Sequence, residues 1–224
     1  MAKIVIFAPQ AIPKADMEAL EQLGVVPIDY AVLRSIFSDY KFPKNKIASL
    51  ENDGKIIRLK KGLYVVSPKI SKVLLSQELI ANHLYGPSYV SMESALRYYG
   101  LIPEQVFTVS SATMNRSKIF KNEIATFRYT SFNEEYYSVG IHQKIVENRY
   151  TFLIASPEKA LCDLIISTPH LNFQSVKAIA TYLEEDIRFD ISALKEMDKT
   201  IIEECIAQGK KKRSLNLLLR LLSR

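Results

Sequence analysis

The chain has 224 residues, 48% of them hydrophobic and 24% charged, and its 30 Lys and Arg against 24 Asp and Glu give a formal net charge of +6. This composition is that of a globular protein and excludes a disordered one, and the length suits one or two domains. Two cysteines exclude a disulfide framework. No apolar run approaches the about 18–20 residues of a membrane span, and the run at residues 4–8 is too short for a signal-peptide core. We therefore expect a soluble, cytoplasmic protein.

The positive charge is concentrated in two segments. Residues 41–72 hold 9 Lys and Arg against 2 Asp and Glu, and residues 208–224 hold 6 basic residues and no acidic one. The other two segments, residues 1–40 and 73–207, are net acidic. Because attraction to phosphate depends on local charge density, we expect an anionic partner at the two basic segments rather than over the whole surface.

Three helices are predicted in the first quarter of the chain. Apolar residues at helical spacing predict one helix over residues 14–23 and a second over residues 29–38, which Asp29 would cap. Pro43 favours a third helix over residues 43–52, because the missing N–H of proline is unpaired in a first turn anyway. An Asp-Gly pair directly after it indicates where this helix ends.

A β-hairpin is predicted after the third helix. Residues 55–59 and 63–67 are rich in β-branched and apolar side chains, and the short turn between them contains Gly62. Helix, short break, short helix and hairpin is the order of a winged helix-turn-helix. Residues 1–70 are therefore predicted to form such a DNA-binding domain, with residues 1–28 as an extension whose role the sequence leaves open.

The third predicted helix and the hairpin carry the candidate DNA-binding residues. With Ile47 and Leu50 facing inward, the other faces of this helix hold short, amide and cationic side chains that can enter a major groove. Cations of the hairpin can reach phosphates. The same residues also fit an ordinary solvated edge hairpin, where lysine is common. The predicted base contacts come from Lys44, Asn45, Lys46, Ser49 and Asn52, and the predicted backbone contacts from Arg58, Lys60 and Lys61.

Residues 71–224 have the pattern of a second, mixed domain, so the predicted fold class of the chain is α+β. Ser91 and Ser156 are expected to cap helices, and Leu96, Leu161 and Leu164 to lie in the core. Helices are predicted over residues 72–85, 91–100, 157–166, 173–184 and 191–208, and strands over residues 106–109, 124–130, 136–141 and 149–154.

The second basic segment precedes a leucine-rich helix. The leucines at residues 215–222 form a stripe that is too broad for a solvated helix, so we expect it to be buried against the domain or a partner. The cations before it form a candidate second basic patch for DNA, RNA or an anionic protein surface, and an ordinary solvated turn explains them equally well. These cations are Lys210, Lys211, Lys212 and Arg213.

Two stretches of the second domain resemble the signature stretches of a known family. They are Tyr-Val-Ser-Met-Glu-Ser-Ala-Leu-Arg-Tyr-Tyr-Gly-Leu-Ile-Pro-Glu at residues 89–104 and Ala-Ser-Pro-Glu-Lys-Ala-Leu-Cys-Asp-Leu-Ile at residues 155–165. Both are similar to those of AbiEi-type antitoxins, the regulators of type IV toxin–antitoxin and abortive-infection systems. Residues 50–54 and 58–64 resemble the helix-to-wing transition of that family, and the resemblance covers residues 29–205.

The resemblance implies a bacterial transcriptional autorepressor. Such a protein binds inverted repeats in double-stranded DNA upstream of an operon that also encodes a nucleotidyltransferase-like toxin. It counters that toxin without requiring a stable complex. Neither a membrane partner nor a small-molecule substrate is predicted.

Catalytic and metal sites are not indicated by the sequence. His83, His142 and His170 are far apart, so no catalytic residue, metal or cofactor is predicted. The pairs Glu134-Glu135 and Glu158-Lys159 are the nearest approach to the acids of a metal-dependent nuclease. Two alternatives to the repressor thus remain: a module that neutralises a toxin by direct contact and, less favoured, such a nuclease.

Overall fold

The computed structural model describes residues 13–103 and 107–223, and the chain forms two compact units, Met1–Ser76 and Gln77–Arg224. Each unit combines helices with a sheet, so the fold class is α+β as predicted. The apolar run at residues 4–8, Val106 of a predicted strand and Arg224 lie outside the described residues.

The first unit combines short helices with a three-stranded antiparallel sheet in the order β1-β3-β2. The helices predicted over residues 14–23 and 43–52 are confirmed, as is the hairpin with its turn at Gly62, where φ is +83°. The elements are α1 (Lys14–Leu23), β1 (Ile28–Asp29), α2 (Tyr30–Ile36), α3 (Pro43–Asn52), β2 (Ile56–Lys60), β3 (Leu63–Val66) and α4 (Pro68–Ser71).

The core of this unit draws on every helix and on the hairpin. Leu20 of α1, Leu33 of α2 and Ile47 of α3 are buried together with Ile56 and Val66 of the two hairpin strands. Because Leu20 is fully buried, α1 is an integral part of the unit although it lies outside the family resemblance. Asp29 does precede α2, but its side chain makes no capping hydrogen bond.

The second unit is built on a six-stranded mixed sheet in the order β6-β7-β5-β4-β9-β8. The helices α5, α6 and α8 contact its central strands. The strands are β4 (Ser88–Val90), β5 (Thr108–Thr113), β6 (Lys118–Lys121), β7 (Thr126–Ser131), β8 (Ile141–Val146) and β9 (Tyr150–Ala155). The α-helices are α5 (Gln77–Leu84), α6 (Met92–Tyr98), α7 (Glu134–Tyr137), α8 (Pro157–Ser167), α9 (Val176–Thr181), α10 (Lys199–Gln208) and α11 (Lys212–Leu222).

Two predicted elements of the region after residue 70 are wrong. The strand predicted over residues 136–141 does not form, apart from Ile141 at the start of β8: α7 covers Tyr136 and Tyr137 and buries both rings, so tertiary burial overrides their β propensity. The predicted helix over residues 72–85 begins only at Gln77, because Lys72 adopts a left-handed conformation that ends α4.

The helices predicted over residues 173–184 and 191–208 are each divided. A π-helical turn follows α9 at Tyr182–Asp186, and a 3-10 turn at Ile191–Glu196 precedes α10. The break before α10 has a local cause, since the carboxylate of Asp198 accepts a hydrogen bond from the backbone N–H of Thr200 and so caps a new helix.

The helix α8 lies at the centre of the second unit. It contacts α6, α10, α11 and β9, and every residue from Glu158 to Ile165 is buried. The leucine stripe of α11 is buried as expected, with Leu215 and Leu218 fully inaccessible and α11 in contact with α8, α9 and α10. Within the described ranges, no helix combines the length and apolar character that a membrane crossing needs.

Candidate nucleic-acid interface

The helix α3 turns a polar face outward. Its apolar residues Ile47 and Leu50 are buried, as the spacing predicts. Four of the five predicted base-contacting side chains are exposed, together with the small side chain of Ala48. The four exposed base-contacting side chains are those of Lys44, Asn45, Ser49 and Asn52.

Lys46, the fifth, is engaged inside the unit. Its Nζ lies 2.7 Å from Oδ2 of Asp16 on α1 and 4.7 Å from the centroid of the Tyr40 ring. The Tyr40 hydroxyl donates a short hydrogen bond to the same Asp16 oxygen. Burial lowers the pKa of Lys46, but its hydrogen bonds to Asp16 and Tyr40 and the charge of Asp16 outweigh this and raise the pKa overall. Lys46 therefore ties α3 to α1, and only 15% of its side chain is exposed.

The hairpin presents its cations unequally. Arg58 and Lys61 are exposed, whereas Lys60 is half-buried. Arg58 stands opposite Tyr64 of β3, and the register shifts between Arg58 and Lys60. The Arg58 guanidinium lies 3.9 Å from a carboxylate oxygen of Glu51 on α3, a long and partly exposed ion pair.

A cleft of about 380 Å³ lies between α3 and the hairpin. Buried Ile47 and Tyr64 form part of its wall. Burial and the charge of Glu51 raise the pKa of Tyr64, so its hydroxyl remains protonated near neutral pH. The charged residues that line the cleft are three cations and one acid: Lys44, Arg58, Lys61 and Glu51.

The second basic segment is only partly turned to solvent. The Nζ of Lys211 donates hydrogen bonds to the carbonyl oxygens of Ile165, Thr168 and Leu171 at 2.9, 2.6 and 3.0 Å, at the C-terminal end of α8 and just beyond it. Lys212 donates to the carbonyl of Ala207 near the end of α10. Lys210 and Arg213 are exposed. Cations at helix C-termini complement the helix dipole, so this segment has a structural role in addition to any binding role.

The two stretches that resemble antitoxins meet in a buried polar network. Asp163 of α8 accepts hydrogen bonds from the Tyr89 hydroxyl at 3.0 Å and from the Ser91 hydroxyl at 2.6 Å. Its other carboxylate oxygen lies 3.2 Å from Nζ of Lys159, and neither Asp163 nor Lys159 is exposed. These residues have no access to solvent, so they hold the unit together rather than face a ligand.

The two expected serine caps differ. Ser156 accepts a hydrogen bond from the backbone N–H of Lys159 and caps α8 as predicted. Ser91 stands at the start of α6 but makes no capping bond, because its hydroxyl is directed to Asp163. Leu96, Leu161 and Leu164 lie in the core as predicted.

The acids that a nuclease would need do not converge. Glu158 is buried and accepts a hydrogen bond from the backbone N–H of Asp198, whereas Glu134 and Glu135 are exposed on α7. In the part of the chain that the structure describes, no group of three or more His, Cys, Asp or Glu could hold a metal ion. Cys162 and Cys205 are free and buried.

No family model matches the chain, and neither does any curated protein. Among solved structures, the RV2827C protein from Mycobacterium tuberculosis is similar to it, with 11% identity and a TM-score of 0.53 over 96% of this chain and 82% of that one. At this identity the likeness shows a shared α+β fold alone.

Proposed function

We propose that the first unit is a winged helix-turn-helix that binds double-stranded DNA. The order helix, strand, helix, helix and hairpin, with β3 between β1 and β2, supports this assignment. In it, α3 is the recognition helix and the β2–β3 hairpin is the wing.

One observation favours DNA over other partners. The exposed face of α3 carries amide, hydroxyl and small side chains, and it adjoins a cleft where cations of α3 and of the hairpin meet. Amide side chains such as Asn45 can read base edges, and the cations neutralise phosphate. An ordinary solvated hairpin would carry lysines of its own, but it would not bring them together with a cation of a neighbouring helix.

The roles within α3 are divided by what each side chain contacts. Asn45, Ser49 and Asn52 are the proposed base-contacting residues, and Ala48 lets the helix approach the groove closely. Lys46 is not assigned to DNA, since Asp16 and Tyr40 hold its ammonium group. It instead fixes the orientation of α3 on α1.

The whole chain is proposed to be an autorepressor and the antitoxin to a nucleotidyltransferase-like toxin. The two stretches at residues 89–104 and 155–165 support this through their resemblance to AbiEi-type antitoxins. Expression of the chain should restore growth to cells that produce such a protein from the same operon. Absence of a nucleotidyltransferase-like reading frame in that operon would contradict the antitoxin role.

Selection from a randomised pool of DNA duplexes tests the DNA-binding role. The wild-type protein should enrich one inverted repeat, and Asn45→Ala should flatten the preference at one base pair of each half-site, since a bidentate base contact contributes about 1–3 kcal/mol of discrimination. Affinity for random duplex, measured by fluorescence anisotropy, should change little.

The matched control is Asn216→Ala, which removes an exposed amide of α11 in the second unit. This variant should enrich the same repeat as the wild type. If the wild type binds no duplex even at low salt, the DNA-binding role is wrong. If Asn45→Ala weakens specific and random binding equally, the base-reading role is wrong.

A further inference from the structure

The cleft between α3 and the hairpin is a candidate for one particular part of the DNA. We propose that it seats a single backbone phosphate with its deoxyribose, and that Lys44, Arg58 and Lys61 hold this one phosphate jointly. This inference rests on the proposed DNA-binding function. In this arrangement Lys44, which the sequence predicts to contact bases, instead neutralises phosphate.

The charges around the cleft are not balanced by the protein itself. Among the described residues, neither Lys44 nor Lys61 forms an ion pair with a carboxylate. Arg58 has Glu51 as a partner, but their separation of 3.9 Å is longer than the about 2.7–2.9 Å of a good charge-assisted hydrogen bond. Three cations and only one acid line the cleft, so it favours an anion.

The shape of the cleft fits a sugar-phosphate unit better than a bare ion. Its volume is about 380 Å³, and the side chains of Tyr30, Ile47 and Tyr64 supply apolar wall against which a deoxyribose can lie. Tyr64 also lines the cleft, and its protonated hydroxyl can donate a hydrogen bond. A base edge would leave these cations without a full negative charge to neutralise.

Sharing one phosphate has a measurable consequence for salt dependence. The slope of log K against log salt is negative, and it becomes less negative by about 0.9 for each phosphate that is no longer neutralised on duplex DNA. Loss of one cation leaves the shared phosphate neutralised by the other two. Loss of all three releases one phosphate rather than three.

The test is an anisotropy titration of a labelled duplex of mixed sequence at several salt concentrations. Lys44→Ala, Arg58→Ala and Lys61→Ala should each weaken binding but change the slope by well under one, and the triple variant should make the slope less negative by about 0.9. The matched control is Lys69→Ala, an exposed lysine of α4 that does not line the cleft, and it should leave the slope unchanged.

Glu51→Gln provides a second readout with the opposite sign. It removes the one acid that lines the cleft and competes with phosphate for Arg58, so affinity for the same duplex should rise several-fold. Glu18→Gln, which removes an exposed acid of α1 away from the cleft, is the control and should have little effect. Circular dichroism confirms that each variant is folded.

Three results would overturn the shared phosphate site. The first is a triple-variant slope that becomes less negative by about 2.7, which means three separate phosphates. The others are an unchanged slope and an affinity that Glu51→Gln does not raise. These results differ from failure of the DNA-binding proposal, in which the wild-type protein itself binds no duplex.

Discussion

Lys159 is fully buried in the second unit, and three contacts compensate for the loss of water around its charge. Its Nζ donates a hydrogen bond to the carbonyl oxygen of Tyr136 at 2.7 Å, lies 3.2 Å from a carboxylate oxygen of Asp163, and stands 3.1 Å from the centroid of the Tyr136 ring. A buried cation is tolerated only when such partners replace its hydration.

Glycine at residue 140 is part of the same arrangement. Its φ of +61° is in the left-handed region, and a Cβ there would lie 2.9 Å from the Cβ of Lys159. Both the backbone conformation and the close approach of Lys159 therefore require glycine. The side chain of Lys159 thus helps to restrict position 140 to glycine.

We predict that Lys159→Met destabilises the protein by about 3–5 kcal/mol, because it leaves the Asp163 carboxylate buried without its cation. Urea denaturation followed by circular dichroism measures the loss. Adding Asp163→Asn to the variant should recover part of it, since a neutral amide still accepts hydrogen bonds from Tyr89 and Ser91.

Lys210→Met is the control for this change, because Lys210 is exposed and its replacement should leave stability nearly unchanged. A Lys159→Met protein as stable as the wild type would show that the buried ion pair is dispensable.

Local sequence signals account well for some elements and poorly for others. The helices α1 and α3 follow from apolar spacing, a proline in the first turn of α3 and a glycine near the end of each. The strands β1, β4 and β6 were missed, because runs of two to four residues become strands only by pairing with distant neighbours. The longer β8 was missed as well, since the strand predicted over residues 136–141 reaches only its first residue.

Lys211 at the start of α11 supplies hydrogen bonds to backbone carbonyls at the end of another helix, α8. Its side chain reaches from the start of α11 to three carbonyl oxygens at and beyond the end of α8, where the helix leaves carbonyls without partners. Burial lowers the pKa of Lys211, which is the electrostatic cost of placing its ammonium group among these carbonyls.

We predict that Lys211→Ala lowers the free energy of unfolding by about 1.5–3 kcal/mol, the range for hydrogen bonds to a charged group. Arg213→Ala, which removes an exposed cation from the same basic segment, should have little effect. Each variant loses one positive charge, so a difference in their thermal unfolding reports the hydrogen bonds of Lys211 and not the loss of charge. Equal stability of both variants would mean that Lys211 contributes charge only.

At the scale of the whole molecule, the two basic segments of the sequence have different surroundings. In the first, Lys44, Arg58 and Lys61 are exposed and line the cleft of the first unit. The second is partly engaged, since Lys211 and Lys212 donate to helix-end carbonyls. The first segment is therefore the better candidate for an anionic partner, although both carry a similar net charge.

Buried tyrosines predict how overall stability depends on alkaline pH. Burial, together with the nearby Tyr98 and Glu158, raises the pKa of Tyr99 to about 12, and burial with Glu93 raises that of Tyr182 to about 12. A phenol of the unfolded chain ionises near pH 10. The stability these groups contribute is thus fully present below about pH 10 and is lost as pH rises through about 12.

We therefore expect the free energy of unfolding to fall between pH 10 and pH 12, and to fall less in Tyr182→Phe, which has one fewer phenol to ionise on unfolding. Denaturation at a series of pH values measures this dependence, and tyrosinate absorbance of the folded protein reports the ionisation directly. Full ionisation of the tyrosines near pH 10 in the folded protein would contradict the prediction.

The exposed face of α3 was predictable from the sequence, but which of its side chains remain free to bind a partner was not. The exposed positions of α3 follow from the spacing of Ile47 and Leu50, because a helix repeats its faces every few residues. Lys46 is taken out of the candidate site by Asp16 and Tyr40, and Asp16 stands on α1, three elements earlier in the chain. The cleft requires α3 and the hairpin to lie side by side, which no local pattern encodes.

The sequence by itself determined the mixed fold class, the hairpin, the bounds of α1 and α3 and the concentration of charge in two segments, because each follows from composition or from neighbours in the chain. Only the tertiary structure decided which cations remain accessible. Lys46 is bound by Asp16, Lys159 by Asp163 and Lys211 by the end of α8, whereas Lys44, Arg58 and Lys61 line an open cleft. A charged side chain can bind an external partner only where the folded protein has not already provided it with a partner of its own.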